Sequence, residues 1–224
     1  MTKVIIVRHC EAMGNDIRVF QGITDADITE NGQKQLDVLA EHFKNIHFDA
    51  IYSSPLIRAQ KTAAAVNFYH NLPIFLNSDL IEVNAGKMEG VAWAELTEKF
   101  PEQGYFWSKE PWNFAAPEGD TMLEVYERIW RGISKIVKEN PNKTVVAVSH
   151  GCAIRTLLCR LLGYPLERIN EVEWCDNTGI TIINFEPDLI PDLIIQNDNS
   201  HLCDEVSTFA RQGRGKNARR RLTF

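Results

Sequence analysis

The chain has 224 residues, 44% hydrophobic and 24% charged, enough for one soluble domain with a sizeable core. No apolar run approaches the ~20 residues that cross a bilayer, and no signal-peptide pattern precedes the first strand, so neither a membrane protein nor a secreted one is expected. The net charge of −6 is uneven: residues 211–224 hold six basic residues and no acid, leaving −12 on residues 1–210, and so acidic a body argues against nucleic-acid binding.

Val4-Ile5-Ile6-Val7 opens the chain. Four β-branched residues in a row are expected to form a strand buried on both faces. The strand runs straight into Arg8-His9-Cys10-Glu11. Residues 11–27 are polar and irregular, a long loop over the strand ends that contains Asn15 and Gln21-Gly22. Thr29 suits an N-cap, and Leu36, Leu39, Ala40 and Phe43 make the apolar stripe of the helix behind it. Residues 49–53 give a short second strand. Ser54 then suits an N-cap and Pro55 a first helical position. That places Arg58 in the first turn of a helix whose packed face is Ala59, Thr62, Ala63 and Val66. Residues 73–76 form a third strand, followed by Leu80-Ile81-Glu82-Val83 and a glycine-containing loop over 86–90.

Residues 91–117 are the least regular stretch and read as a lid-like insertion. Tyr105, Phe106, Trp107, Trp112 and Phe114 crowd into it, either to cover a ligand or to pack the insertion internally. Thr121 leads into a helix with Met122, Val125, Ile129, Ile133, Ile136 and Val137 at helical spacing. A second apolar strand, Val145-Val146-Ala147-Val148, ends in Ser149-His150-Gly151. A helix over about 153–162 stops at Gly163 and Pro165. Residues 181–185 and 193–195 are expected to pair as a hairpin around a proline-rich turn. The basic stretch 211–224 reads as a disordered, solvated tail, with contact to an anionic surface as the alternative. Five scattered cysteines without a C-x-x-C point to reduced thiols in the cytoplasm, with neither disulfides nor a metal cluster. Alternating strands and helices give an α/β fold: a three-layer α/β/α sandwich with a mainly parallel sheet, in a single domain over 1–210.

Two buried strands each deliver a histidine at the carboxyl end, the edge at which open α/β sheets place their ligands. A lone histidine on an apolar element is usually structural; two at matched positions, one beside an arginine, reverse that expectation. Arg8, His9, Arg58, Glu82 and His150 all fall near strand carboxyl ends in this reading. Arginine forks match phosphate oxygens, and a neutral histidine can attack phosphorus and carry the phosphoryl group. A second histidine, if cationic, stabilises the equatorial oxygens. Glu82, between apolar neighbours, is expected to be partly desolvated and protonated, and so able to protonate a leaving oxygen. There is no Walker A loop and no aspartate cluster for Mg²⁺, so nucleotide-driven transfer is not expected.

Val7-Arg8-His9-Cys10-Glu11 resembles the R-H-G-E signature of the histidine phosphatase superfamily, the phosphoglycerate mutase-like proteins. The resemblance continues through Asn15, Gln21-Gly22, Thr29 and Gly32, Ser53-Ser54-Pro55 with Arg58-Ala59, Glu82, Glu89-Gly90, Glu118-Gly119-Asp120 and Ser149-His150-Gly151. It spans nearly all of residues 3–185, and so many ordered matches are specific. It implies a phosphoglycerate mutase-like fold and catalysis with no metal and no cofactor. It implies His9 as the phosphorylated nucleophile and Arg8, Arg58 and His150 around the phosphate. Asn15 and the N–H of Gly151 or Cys152 become further donors, Gln21 a contact to phosphate or leaving group, and Glu82 the proton donor and later the base for water.

Cys10 stands where the family usually has Gly, Ala12 where it has Thr or Ser, and Gly14 at an often aromatic position. Cys10 is either an oxidisable thiol beside cations or a small residue that fits. Ile81-Glu82-Val83-Asn84-Ala85 lacks the Arg and Tyr that cofactor-dependent phosphoglycerate mutases carry after the acid, and the short segment after it resembles the broad-specificity phosphatases. The expected activity is therefore hydrolysis of small-molecule phosphate monoesters, apolar or aromatic ones if the aromatic cluster is a lid. Phosphoglycerate mutase activity and non-catalytic binding of phospho-ligands are the alternatives. No nucleic-acid or membrane partner is expected, and the oligomeric state stays open, with a homodimer among the options.

Overall fold

Along the chain of the computed structural model, which describes residues 1–213 and the backbone of 220–221, β1 (Thr2–Arg8) leads through the four-residue helix α1 (Met13–Asp16) to α2 (Glu30–Phe43). Then come β2 (Ala50–Ser53), α3 (Ile57–Val66), β3 (Ile74–Leu76) and two short helices, α4 (Leu96–Lys99) and α5 (Pro101–Lys109). The long helix α6 (Met122–Glu139) precedes β4 (Thr144–Ser149) and α7 (Gly151–Leu161). β5 (Ile180–Phe185), β6 (Pro191–Asp198), α8 (Thr208–Arg211) and β7 (Arg220–Arg221) follow.

The strands form one sheet in the order β3-β2-β4-β1-β5-β6-β7. β3, β2, β4 and β1 are parallel; β5 is antiparallel to β1 and to β6, so β6 again runs the way of β1. The sheet is thus mostly parallel, as expected. The continuous apolar runs of β1 and β4 follow from burial on both faces. Val4, Ile6, Val145 and Ala147 pack under α6 and α7, while Ile5, Val7, Val146 and Val148 pack under α2 and α3. The Thr121 hydroxyl accepts from Glu124 N–H while the Glu124 carboxylate accepts from Thr121 N–H, a capping box that starts α6. Thr29 caps α2 as expected, its hydroxyl accepting from Gly32 N–H.

Three local expectations need correction. Ser54 is not the cap of α3: Leu56 holds that position with no side-chain bond, and Ser54 is engaged elsewhere. α7 begins at Gly151 rather than 153, so His150 itself is its N-cap residue. The body does not end at 210: Arg211 lies in α8 and pairs with the buried Glu11, and Gln212 donates to the Asn15 carbonyl at 3.0 Å. Of the expected tail, residues 214–219 and 222–224 lie outside the described residues.

Candidate active site

β1 and β4 are in register from Lys3↔Thr144 to Arg8↔Ser149, so their carboxyl ends are flush. His9 N–H continues the ladder to Ser149 O at 3.0 Å. The next residue of each strand is therefore a histidine at the same level, and the two rings lie 5.0 Å apart between centroids. His9 Nδ1 lies 2.6 Å from the carbonyl oxygen of Cys10. A carbonyl only accepts, so Nδ1 carries the hydrogen and Nε2 keeps its lone pair. Burial, then the charges of Arg58 and Arg8, hold His9 well below the usual histidine range, so the ring is neutral. His150 is fully buried, with Nε2 2.7 Å from Ser54 Oγ. Burial, then Arg58, His9 and Arg8, hold it low as well. A cationic His150, the condition for it to stabilise the equatorial oxygens, is thus not the form in the unliganded pocket; it needs an arriving anion to offset the two arginines.

Arg8 donates to the carbonyl of Cys175. Arg58 is fully buried on the first turn of α3 and donates to Gly22 O at 2.6 Å and Thr24 O at 2.9 Å. Burial lowers its guanidinium to about 10, so it remains charged at neutral pH. The Glu89 carboxylate holds the loop that receives it, accepting from Gly22, Ile23 and Thr24 N–H at 2.8–3.3 Å. A Cβ at Gly22 would meet Val83 O at 2.2 Å and Glu89 Oε1 at 2.3 Å, so no larger residue fits there.

Glu82 follows a short 3-10 turn, Ser78–Leu80, rather than a strand directly. Arg128 of α6 fixes this segment, donating to Ile81 O at 2.6 Å and Glu82 O at 3.2 Å while paired with Asp120. The Glu82 carboxylate is buried, but its surroundings are not apolar. Its Oε2 accepts from Cys152 N–H at 3.0 Å, and its Oε1 from Val83 and Ala153 N–H at 2.9 and 3.1 Å. It therefore sits at the N-terminus of α7 and holds the Cys152 donor that was expected to meet phosphate.

A cavity of about 310 Å³ opens above these groups, bordered by Arg8, His9, Asn15, Gln21, Glu82, Gly151 and Cys152. Arg58 and His150, the other two residues expected at the site, stand behind its wall. Of the insertion's aromatics, Trp107 borders the cavity, Phe114 is buried in the core and Tyr105 is exposed. Trp93 and Trp174 complete an aromatic wall, with Phe20 stacked 4.6 Å from Trp93 and Arg155 4.7 Å over the Trp174 ring. Thr208, Phe209 and Gln212 border the cavity from the C-terminal segment, and Arg18 and Asn177 border it too. None of these residues was singled out from sequence. Asn177-Thr178-Gly179, a polar turn just before an apolar strand, was the one available signal. Burial pushes the Cys10 thiol up to about 12, and its backbone N–H donates to Thr62 Oγ1 at 3.0 Å. Cys10 is a small residue that fits, not a reactive thiol.

Four histidines are held low chiefly by burial: His9, His42, His150 and His201, the last at about 4. They are neutral when folded and titrate near 6.5 when unfolded, so below that pH the unfolded chain binds more protons. Their contribution to stability is intact above about pH 6.5 and is lost as pH falls toward the folded values. The urea midpoint is expected to drop steadily from pH 7 to pH 4.5, a range mostly above ordinary carboxylate titration. A flat profile over that range contradicts it.

Residues 4–196 match the family described as histidine phosphatase superfamily (branch 1). The chain is 35% identical over 189 residues to phosphoserine phosphatase 1 of Hydrogenobacter thermophilus, an alignment covering 83% of this chain and 88% of that protein. Its fold superposes on Bacillus stearothermophilus YhfR with a TM-score of 0.85 at 27% identity, over 90% of this chain and 99% of that one. It superposes on the Entamoeba histolytica phosphoserine phosphatase, solved in complex with 3-phosphoglyceric acid, with a TM-score of 0.77 at 31% identity, over 91% and 100% of the two chains. A match of this extent, on a chain whose two strand-end histidines meet beside the buried Arg58 and the half-buried Arg8, shows that this protein belongs to the histidine phosphatase superfamily.

Proposed function

We propose that the protein hydrolyses small-molecule phosphate monoesters through a phosphohistidine at His9, with phosphoserine among its substrates. The observation that carries this reading is the His9 tautomer: a neutral ring, fixed through Nδ1, with its Nε2 lone pair at a cavity beside two arginines and a second histidine. Nε2 attacks phosphorus and the bond to the ester oxygen breaks, with Glu82 giving that oxygen a proton. Water then attacks the phosphohistidine, the P–N bond breaks, and the water proton passes to Glu82. Arg8 at the cavity and the charge of Arg58 behind its wall offset the phosphoryl oxygens, and an anion bound there favours the cationic form of His150.

A cavity of about 310 Å³ is at the small end of ligand pockets, which suits a small ester. Trp93, Trp107 and Trp174 suit an apolar edge on the leaving group, and α5 with Trp107 serves as the lid over it. The phosphoserine assignment rests on the two phosphoserine phosphatases to which the chain is 35% and 31% identical. No helix among the described residues is long and apolar enough to cross a membrane, and the five free thiols fit a reducing cytoplasm.

The test is release of inorganic phosphate from phosphoserine and from nitrophenyl phosphate. Turnover is expected with both, and at an unchanged rate in excess EDTA, because the arginines supply the positive charge that Mg²⁺ supplies elsewhere. Activity lost in chelator and restored by Mg²⁺ or Zn²⁺ contradicts the metal-free mechanism. Binding of phosphate esters with no turnover contradicts the enzyme reading and favours a ligand-binding protein.

A further inference from the structure

The turn between Cys175 and β5 is laced to the end of β1: Thr178 N–H donates to Arg8 O at 3.1 Å, and Arg8 N–H to Gly179 O at 3.1 Å. This places Asn177, which is fully buried, at the edge of the cavity. Its Nδ2 donates to His9 O at 2.9 Å and lies 3.4 Å from Asn15 Oδ1. Asn15 Oδ1 is itself fixed as an oxygen, since it accepts from Ala12 N–H at 3.0 Å. Both neighbours are acceptors, so the Asn177 amide can point only one way: a flipped amide would set oxygen against oxygen. Its Oδ1 is buried and finds no hydrogen-bond partner among the described residues. Buried amide oxygens are rarely left so. Gln21, on the same cavity, also holds a buried side-chain oxygen with no partner among the described residues. Two buried side-chain oxygens on residues that border the cavity thus lack a donor among the described residues, and a phosphate dianion, which only accepts, supplies none.

We propose that Asn177 reads the substrate: its Oδ1 accepts a hydrogen bond from an ammonium or hydroxyl group on the leaving group, so the preferred substrates are phosphate esters that carry such a donor near the ester oxygen. This rests on the phosphatase reading of the cavity.

The experiment compares kcat/KM for O-phosphoserine and for 3-phosphooxypropanoate, the same ester without its amino group. The wild type is expected to favour phosphoserine by about tenfold or more, since a site built to bond a donor discriminates against the analogue lacking it. Asn177→Ala is expected to lose most of that preference, and Asn177→Asp, which keeps an oxygen at the Oδ1 position but sets its other oxygen against His9 O and Asn15 Oδ1, to retain it at a lower kcat. Loss of the preference in both variants shows that Asn177 acts by positioning His9 through Nδ2, and overturns the proposal. If neither variant folds, the wild type alone decides, with glycerol 3-phosphate against propyl phosphate as a second pair. Equal turnover within both pairs overturns the assignment of Asn177 and leaves the phosphatase reading standing. No turnover of any ester overturns both together.

Discussion

His9→Ala is expected to lower kcat by at least about 10⁴-fold, because removing a covalent nucleophile leaves only binding and electrostatic stabilisation. Its Nε2 is the lone pair that the Cys10 carbonyl leaves to the cavity; Cys10 at about 12 and Cys152, also pushed well up by burial, stay protonated thiols, and Ser54, although paired with His150, does not border the cavity. The alanine variant should still bind phosphate, since Arg8, Arg58 and α7 are untouched. Brief reaction of the wild type with labelled ester, quenched in alkali where phosphohistidine persists, should place the label on the peptide containing His9. A label elsewhere, or an alanine variant with full turnover, excludes His9 as nucleophile.

Glu82→Gln should divide the two chemical steps. Glutamine is isosteric and keeps one oxygen for Val83 and Ala153 N–H, at the cost of the bond from Cys152 N–H, while Arg128 still holds the Ile81 and Glu82 carbonyls, so the fold is expected to survive. What it loses is the transferable proton. An alkyl phosphate leaves as a strongly basic alkoxide and needs that proton; nitrophenolate leaves without it. Formation of the phosphoenzyme from alkyl esters should slow by ~10²-fold or more, with little change for nitrophenyl phosphate. Dephosphorylation should slow for both, since the same carboxylate activates water. With nitrophenyl phosphate the variant should therefore give a burst of nitrophenol followed by slow turnover. Equal slowing of the burst phase for alkyl and aryl esters means that the proton comes from another group. The structure adds a reason to expect a large effect: Glu82 holds the Cys152 N–H at 3.0 Å, so phosphate binding and the state of this carboxyl are coupled.

The sequence by itself determined the strands β1 to β6, the helices α2, α3, α6 and α7 and the identity of the central residues, but not the short helices α1, α4, α5 and α8. β1 and β4 were legible because strands buried on both faces have no polar face to interrupt the apolar run, and His9 and His150 were legible because each follows such a run. The packed face of α3, with Ala59, Thr62, Ala63 and Val66 all buried, was legible from the helical period. The fold decided which distant residues meet. Ser54 read as a helix cap from its neighbours, yet its hydroxyl serves His150, 96 residues away. Arg211 read as part of a solvated tail, yet it pairs with Glu11, which is only 2% exposed and accepts as well from Thr29, Asn31 and Thr208. A buried carboxylate needs such partners. Asn177, Trp174 and the 208–212 segment reach the cavity from parts of the chain whose local pattern shows only a turn, a lone aromatic and a short helix. Local periodicity reports which side of an element faces a core; sheet order and register set which elements become neighbours, and those depend on contacts across the whole chain.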